Sequence, residues 1–395
     1  MRNQQALIDL MKHFVEDLGV PGCGLSVSQH GEVLFKHFEG LADKENNVPF
    51  AADTVFRAYS CSKPITVAAA MILLERGKLL LTDPVEKYLP YFKDMKYYDY
   101  NGACSTHVVP CKNKMTVRDL MTMTNGLPYG GKNNLTEQDV MDLGAVTPNH
   151  PMALQEFCEQ LAKVPLCFDP GTRWMYGYGC DVMGAVIEVA SGKTLGQFMH
   201  DEIFAPLGMN TTGFFFSEAI KREKMAAIYI RQDDGNLVRD YEHDGKYEPE
   251  ALFESGGGGL LSTLDDMTKF SQMMANGGEL NGVKILSRKA IDLIRADHLT
   301  PAQRADYDKV SQTVWPNMLG YSFGLSCRTM VDRATGGILS SLGEFAWSGA
   351  AGTWALIDPE TGISAEYAHQ IMPSERNLQD YCHPRLRNTI YGALT

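Results

Sequence analysis

The pattern of hydrophobic positions at the start of the chain predicts a helix and then a two-stranded hairpin. Apolar side chains recur at helical spacing over residues 7–18, after which a glycine and a proline end the pattern. Residues 23–39 alternate around Gln29-His30-Gly31-Glu32, a sequence that favours a tight turn between two strands. The core side chains expected from this hairpin include Val27, Val33 and Phe35.

Helical patterns dominate the middle of the chain. Several of the expected starts carry capping residues followed by apolar residues at helical spacing. The predicted helices begin near Ser60, at Thr82-Asp83-Pro84, at the capping signature of Thr116 and Asp119, at residue 179 and, after the glycines of 256–259, at Thr263. The helix after Thr263 is expected to end near Ala275, and the one from residue 179 is expected to end at Gly192.

Extended patterns return near the end of the chain. They cover residues 344–348, 353–358 and 363–370, and a last helix is predicted near 377–393. Strands at both ends with helices between them predict an α+β fold, in which an antiparallel sheet built from the two termini carries an inserted, mostly helical domain. The expected sheet domain comprises residues 1–85 and 255–395, the helical domain comprises 86–254, and the active site lies at their interface.

Composition and charge narrow the class of protein. The chain has 395 residues, of which 44% are hydrophobic and 21% charged, as in a globular enzyme. A formal charge of -12 argues against nucleic acid or an anionic membrane surface as a partner. No apolar signal segment or membrane-spanning run is visible, which favours a cytoplasmic protein, and nine cysteines, an odd count, favour free thiols. The oligomeric state is not predicted.

The candidate chemistry lies at the start of a buried helix. In Ser60-Cys61-Ser62-Lys63, a hydroxyl and an amine stand three residues apart and therefore share one helical face. A serine is a poor nucleophile unless a neighbour takes its proton, and a lysine can do so where burial or nearby positive charge lowers its pKa. The unpaired backbone N–H groups of a first helical turn can hold an oxyanion.

Other motifs give weaker signals. Gly320-Tyr321-Ser322-Phe323-Gly324 has the spacing of a nucleophile elbow, but the strand before it and the helix after it are missing, so Ser322 is predicted to be a strand residue. Cys104, His107 and Cys111 share a polar loop without a fourth ligand, and no metal is expected there. The glycines of 256–259 lack the Lys-Ser/Thr ending of a phosphate loop, and no cofactor is implied.

Four blocks of sequence resemble, in the same order, those of the serine β-lactamase and penicillin-binding-protein superfamily. The likeness is strongest to class C β-lactamases and, within that group, to family VIII carboxylesterases. The blocks are Phe56–Pro64, Thr116–Leu127, Pro206–Met209 and Gly256–Thr263. Their number and order make coincidence improbable. The resemblance implies a β-lactamase/transpeptidase-like fold and a serine hydrolase that works through an acyl-serine intermediate.

The resemblance also implies roles for particular residues. Ser60 would be the nucleophile, Lys63 and Tyr176 would form the base, and the backbone N–H groups of Ser60 and Ala350 would form the oxyanion hole. Trp347, Gly349, Tyr178 and Asn125 would bind substrate.

Two positions depart from the β-lactamase pattern. Tyr178 replaces the asparagine of Tyr-x-Asn, and Trp347 replaces the strand lysine. Losing a buried hydrogen-bonding group costs about 1–3 kcal/mol of recognition. The two departures therefore weaken a β-lactamase assignment, and the resemblance to family VIII carboxylesterases implies small to medium carboxylic esters as substrates. The open alternatives are a weak β-lactamase, a D-amino-acid amidase or peptidase, an acyltransferase, and a binding or structural member without turnover.

Overall fold

The computed structural model describes residues 1–100, 107–144, 152–244, 247–372 and 376–394. Cys104, one of the three residues weighed as zinc ligands, lies outside this range. The helices are α1 (Gln4–Glu16), α2 (Ser62–Glu75), α3 (Val117–Met121), α4 (Leu135–Asp142), α5 (Leu154–Leu161), α6 (Gly179–Ser191), α7 (Leu195–Met199), α8 (Ala205–Leu207), α9 (Tyr241–Asp244), α10 (Leu264–Ala275), α11 (Arg288–Ile294), α12 (Pro301–Thr313), α13 (Arg333–Gly336) and α14 (Arg376–Gly392). Within these residues, no helix is both long and apolar enough to cross a membrane.

Most strands are short. They are β1 (Gly22–Gln29), β2 (Glu32–Asp43), β3 (Val48–Pro49), β4 (Phe56–Arg57), β5 (Lys96–Tyr98), β6 (Val108–Pro110), β7 (Tyr229–Arg231), β8 (Leu237–Arg239), β9 (Leu261–Ser262), β10 (Glu279–Leu280), β11 (Val283–Lys284), β12 (Tyr321–Phe323), β13 (Arg328–Met330), β14 (Phe345–Ala346), β15 (Trp354–Asp358) and β16 (Ile363–Ala368). Single 3-10 turns stand at Tyr59–Cys61, Val85–Lys87, Pro90–Phe92, Arg222–Lys224 and Pro316–Met318, and a π turn covers His200–Phe204.

An eight-stranded antiparallel sheet forms the centre of the fold, in the order β12-β13-β14-β15-β16-β1-β2-β3. Its strands come from two distant parts of the chain, 22–49 and 321–368. The pairing of β1 with β16, in which Leu25 lies opposite Tyr367, joins the two parts. The predicted antiparallel sheet built from both ends of the chain is therefore confirmed.

Different helices cover the two faces of the sheet. On one face, Leu25, Trp354 and Tyr367 pack into a core with Phe14 of α1 and Leu386 of α14. On the other face, α10 lies against β16, β1 and β15. Away from the sheet, α2 is buried from Ser62 to Leu73 and packs against α6, α7 and α11. A helix that is apolar on all sides, as α2 is, belongs in such an interior.

Local sequence signals predicted several elements correctly. The turn between β1 and β2 uses positive φ angles of 52° at His30 and 91° at Gly31, as a two-residue hairpin turn requires. The capping box at α3 is present, because the Thr116 hydroxyl accepts from the Asp119 N–H and the Asp119 carboxylate accepts from the Thr116 N–H. Gly192 ends α6 in the left-handed conformation.

Two expectations were wrong. Val33 is 53% exposed, because a β-bulge after Val27 puts an extra residue into β2 and turns Val33 away from the face that holds Phe35. The helix predicted from Thr82-Asp83-Pro84 is only a 3-10 turn. There the Val85 N–H bonds to the Met115 carbonyl, so its backbone is used in a long-range contact instead of a helical one.

Candidate active site

Ser60 and Lys63 lie where α2 begins. Ser60 is part of the 3-10 turn before the helix, and Tyr59, just before it, has a φ of 45°, which is a strained value for an aromatic residue. Lys63 is fully buried, and its Nζ donates to the Oγ of Ser60 at 3.0 Å. The predicted hydroxyl and amine therefore meet directly.

The Nζ of Lys63 has two further acceptors. They are the carbonyl oxygen of Gly257 at 2.6 Å and the Oη of Tyr129 at 3.0 Å. Burial raises the pKa of Tyr129 well above its usual value, so this phenol stays protonated and offers Lys63 a neutral oxygen. With three acceptors for its three donors, the amine of Lys63 is held in one position.

Tyr176 approaches Ser60 from the segment that precedes α6. Its Oη donates to the Oγ of Ser60 at 2.8 Å and accepts from the Nε1 of Trp347 at 2.9 Å. The rings of Tyr176 and Trp347 stack with centroids 5.4 Å apart. The structure thus brings together the three residues predicted as catalytic, and it places Trp347 on the tyrosine of this group.

Gly349 lets the end of the strand segment after β14 approach the turn that carries Ser60. A Cβ at Gly349 would lie 1.9 Å from the Oγ1 of Thr353 and 2.5 Å from the carbonyl oxygen of Ala58. Only glycine permits this contact. Its consequence is that the next residue, Ala350, borders the same space as Ser60.

Two cavities meet at Ser60, and both also reach Tyr176, Ala350 and Met372. We call the first the tryptophan cavity. It measures about 230 Å³, and its further lining residues are Val314, Trp315, Asn317, Met318, Trp347, Ser348, Gly349, Gln379 and Asp380. We call the second the tyrosine cavity. It measures about 340 Å³, and its further lining residues are Tyr59, Tyr129, Tyr178, Tyr247, Phe253, Ser255, Gly257, Gly258 and Gly259.

The glycine loop of 256–259 is shaped by a buried carboxylate. Asp181 of α6 accepts hydrogen bonds from the Ser255 hydroxyl and from the Gly257 N–H. Burial raises the pKa of Asp181, against the opposing effects of the Ser255 hydrogen bond and the Lys63 charge. A Cβ at Gly257 would lie 2.4 Å from Asp181. The loop therefore needs glycine to sit close enough for its carbonyl to reach Lys63.

Of the other residues considered in the sequence analysis, Tyr178 lies at the site, whereas Asn125 and Ser322 lie away from it. Tyr178 lines the tyrosine cavity, where it packs edge-on against Tyr129. The prediction that Asn125 binds substrate was wrong, since its side chain is fully buried and bonds to the backbone of Asp119 and Leu127. Ser322 is a buried residue of β12, as expected, and donates to Asp297 at 2.6 Å.

Three residues at the site could not be predicted from the sequence. Tyr129 stands just after the Thr116–Leu127 block, but no spacing marks it as a partner of Lys63. Trp315 packs at right angles to Trp347, with ring centroids 5.8 Å apart. Asp380 reaches the tryptophan cavity from α14. All three contacts depend on tertiary structure, which local patterns do not encode.

Comparisons with known proteins agree with this geometry. The beta-lactamase family profile matches residues 7–381. Esterase EstB of Burkholderia gladioli is 31% identical over 362 residues, which cover 86% of this chain and 83% of that protein. Lovastatin esterase of Penicillium rubens is 27% identical over 361 residues, which cover 87% of this chain and 86% of that protein.

A solved structure confirms the fold class. It is that of EstCE1, described as a hydrolase with promiscuous acyltransferase activity, and it covers 98% of each chain at a TM-score of 0.82 and 22% identity. The match of the family profile to nearly the whole chain agrees with the resemblance found in the sequence blocks. The chain therefore belongs to the beta-lactamase family.

Proposed function

We propose that this protein is a serine hydrolase that cleaves small to medium carboxylic esters through an acyl-Ser60 intermediate. The observation that carries the proposal is that the Oγ of Ser60 accepts hydrogen bonds from both Lys63 and Tyr176, at 3.0 and 2.8 Å. A nucleophile within hydrogen-bond reach of its base is the arrangement that acyl transfer requires. The names of two relatives, EstB and lovastatin esterase, support an ester as the substrate.

Because Lys63 and Tyr176 both donate to the Oγ of Ser60, the pair acts as a base in the form that holds one proton fewer. In the first step, the Oγ of Ser60 attacks the ester carbonyl and its proton fills this vacancy in the pair. Both partners bond to the same oxygen, so either lies within reach of its proton. The backbone N–H groups of Ser60 and Ala350 would stabilise the oxyanion. Collapse of the tetrahedral intermediate transfers the proton to the leaving alkoxide and leaves the acyl group on Ser60.

In the second step, water attacks the acyl-enzyme. The same pair takes a proton from the water and returns one to the Oγ of Ser60 as the carboxylic acid departs. Trp347 supports the pair through its hydrogen bond to Tyr176. Each step thus moves one proton between Ser60, the pair and the alcohol or water.

Acyl transfer to an alcohol is a second candidate activity, and the paired cavities favour it. Because the tryptophan and tyrosine cavities meet at Ser60, an acyl group held in one leaves the other open to an incoming alcohol. A β-lactam is a poorer candidate, since the indole of Trp347 stands where those enzymes hold a lysine.

We also propose that the chain divides into a sheet domain, residues 1–85 and 255–395, and a helical domain, residues 86–254. The cytoplasmic location stays a prediction.

The test compares p-nitrophenyl esters of graded chain length with a chromogenic cephalosporin. Sustained ester turnover that disappears in Ser60→Ala is the expected result. Ser322→Ala is the matched control, because Ser322 is the other serine in a nucleophile-like motif and is expected to keep activity. A single stoichiometric burst of p-nitrophenol would contradict hydrolysis with turnover, and faster cleavage of the cephalosporin than of any ester would contradict the substrate class.

A further inference from the structure

Asp380 supplies a negative charge to the wall of the tryptophan cavity. It lies on α14, next to Gln379, whose Nε2 donates to the carbonyl oxygen of Gly349 at 2.9 Å. This bond ties α14 to the residue that precedes Ala350. The carboxylate therefore shares a cavity of about 230 Å³ with Ser60, and a substrate that fills this cavity meets both.

One oxygen of the Asp380 carboxylate is held by hydrogen bonds within the protein, and the other can accept a hydrogen bond from a ligand. The Oδ1 of Asp380 accepts from the N–H of Asn317 at 3.2 Å and from the Nδ2 of the same residue. Both bonds hold the side chain against the 3-10 turn of Pro316–Met318. The Oδ2 has no such partner among the residues that the structure describes, and it can accept from a ligand.

The rest of the cavity wall carries no opposing charge. Of its described lining residues, Asp380 is the one with a charged side chain. The ammonium of Lys63 is fully buried and engaged with three protein oxygens, and it lines neither cavity. The formal charge of the whole chain, -12, acts in the same direction as Asp380.

Aromatic rings add a second preference for positive charge. Tyr176, Trp315 and Trp347 all line the tryptophan cavity. The faces of such rings attract cations, tryptophan most strongly, and ammonium groups are recognised by aromatic surfaces. A cavity whose wall carries both a carboxylate and aromatic rings favours an ammonium group and disfavours a carboxylate.

We propose that Asp380 is a specificity-determining residue that makes the tryptophan cavity select ammonium-bearing esters over carboxylate-bearing ones. The inference rests on the proposed ester hydrolysis at Ser60 and names the substrate class within it. It also gives a physical reason for discrimination against β-lactam antibiotics that carry a carboxylate. Neutral esters stand between the two charged classes.

The experiment uses pairs of esters that match in shape and differ in charge. Butyrylcholine and 3,3-dimethylbutyl butyrate place a cationic or a neutral group on the alcohol side. The p-nitrophenyl esters of 4-(trimethylammonio)butanoic acid and 5,5-dimethylhexanoic acid do the same on the acyl side. In wild type, at least one pair is expected to show kcat/KM about tenfold higher for the cationic ester, which corresponds to about 1.4 kcal/mol. 3-(Butyryloxy)propanoate, which is anionic, is expected to be slower than 3,3-dimethylbutyl butyrate.

Asp380→Asn keeps the shape of the side chain and removes its charge. It is expected to lower the cationic-to-neutral ratio about tenfold, whereas Asp265→Asn, an equal charge change at a salt bridge with Lys36, leaves the ratio and the basal activity unchanged. In wild type, a ratio of kcat/KM for the cationic ester to that for the neutral ester at or below one in both pairs overturns the inference. This measurement does not depend on the folding of any variant. An unchanged ratio in Asp380→Asn also overturns the inference. Absence of Ser60-dependent turnover with every ester would instead overturn the proposed function.

Discussion

At the scale of single residues, the oxygen of Ser60 is the point where distant parts of the chain meet. It accepts hydrogen bonds from Lys63, one helical turn away, and from Tyr176, which comes from a different helix start. Ser60 and Lys63 could be found by their spacing together with the family's other sequence blocks, and Tyr176 by its place in a family motif. Tyr129 could not be found, because no local pattern ties it to the amine it contacts.

Tyr176→Phe removes the hydroxyl that donates to Ser60 and leaves the ring in place. We expect kcat/KM for a p-nitrophenyl ester to fall by about 10²–10⁴, as is usual when a general acid–base group is lost. Tyr91→Phe is the matched control, because its hydroxyl bonds to Gln155 away from the two cavities. A loss below tenfold in Tyr176→Phe would show that Lys63 alone manages the proton.

Trp347→Phe removes the N–H that donates to Tyr176 at 2.9 Å and keeps an aromatic ring in the cavity wall. A lost hydrogen bond to a functional group typically costs about 1–3 kcal/mol. Steady-state kinetics should therefore show kcat reduced by roughly 5- to 150-fold with a smaller change in KM. An effect on KM alone would mean that Trp347 only contacts substrate.

At the scale of elements, local sequence motifs correctly predicted those features that depend on contacts between residues close in the sequence. The capping residues Thr116 and Thr263 identified the starts of α3 and α10, since a cap acts within one turn of its own helix. The same reasoning failed at Thr82-Asp83-Pro84, where hydrogen bonds to residues near 115 replace helical ones. It also failed at Val33, because a bulge changes the alternation that the prediction assumes.

Gly349→Ala tests how closely two elements must approach at the site. The added Cβ would lie 2.5 Å from the backbone oxygen of Ala58, so the strand end must move away from the turn that holds Ser60. We expect a loss of about 1–3 kcal/mol in the free energy of unfolding, as for other overpacked positions, together with a large loss of kcat.

The matched control for that change is Gly392→Ala. No atom lies within 4 Å of a Cβ at Gly392, which belongs to α14. Alanine in a helix is more stable than glycine by about 0.5–1 kcal/mol, so this variant should keep its activity, and its melting temperature should be equal to or slightly above that of wild type. Equal behaviour of the two variants would refute the close approach at Gly349.

At the scale of the whole molecule, the sheet holds a carboxyl group in its interior. Glu366 of β16 is 3% exposed and faces Ser271 of α10. Burial raises its pKa from 4.5 to about 8, against the lowering effects of Ser271 and Arg328. The folded protein therefore keeps this proton over a pH range in which the unfolded chain releases it.

This pKa shift predicts how stability depends on pH. The contribution of Glu366 is fully present below pH 4.5 and is lost as the pH rises toward 8, at up to about 1.4 kcal/mol per pH unit. His369 acts in the opposite direction, because burial lowers its pKa from 6.5 to about 3, and its contribution is lost as the pH falls below 6.5. Above pH 6.5 the contribution of His369 is constant, so of these two groups only Glu366 still changes the stability with pH.

Urea unfolding of wild type and Glu366→Gln between pH 6.5 and 8 measures this contribution. The glutamine imitates the protonated carboxyl, so the unfolding free energy of the variant should fall less over this range than that of wild type. Glu360→Gln, an equal charge change at an exposed position, should follow wild type. Parallel curves for wild type and Glu366→Gln would mean that Glu366 is ionised in the folded protein.

The fold places Ser60 where two cavities meet. Labelling of Ser60 tests most directly the central claim that it is the nucleophile. The protein is treated with a fluorophosphonate probe, digested, and mapped by mass spectrometry. The account predicts one phosphonylated site at Ser60, with labelling strongly reduced in Lys63→Met. A label at Ser322 or another residue, or undiminished labelling of Ser60 in Lys63→Met, would contradict it.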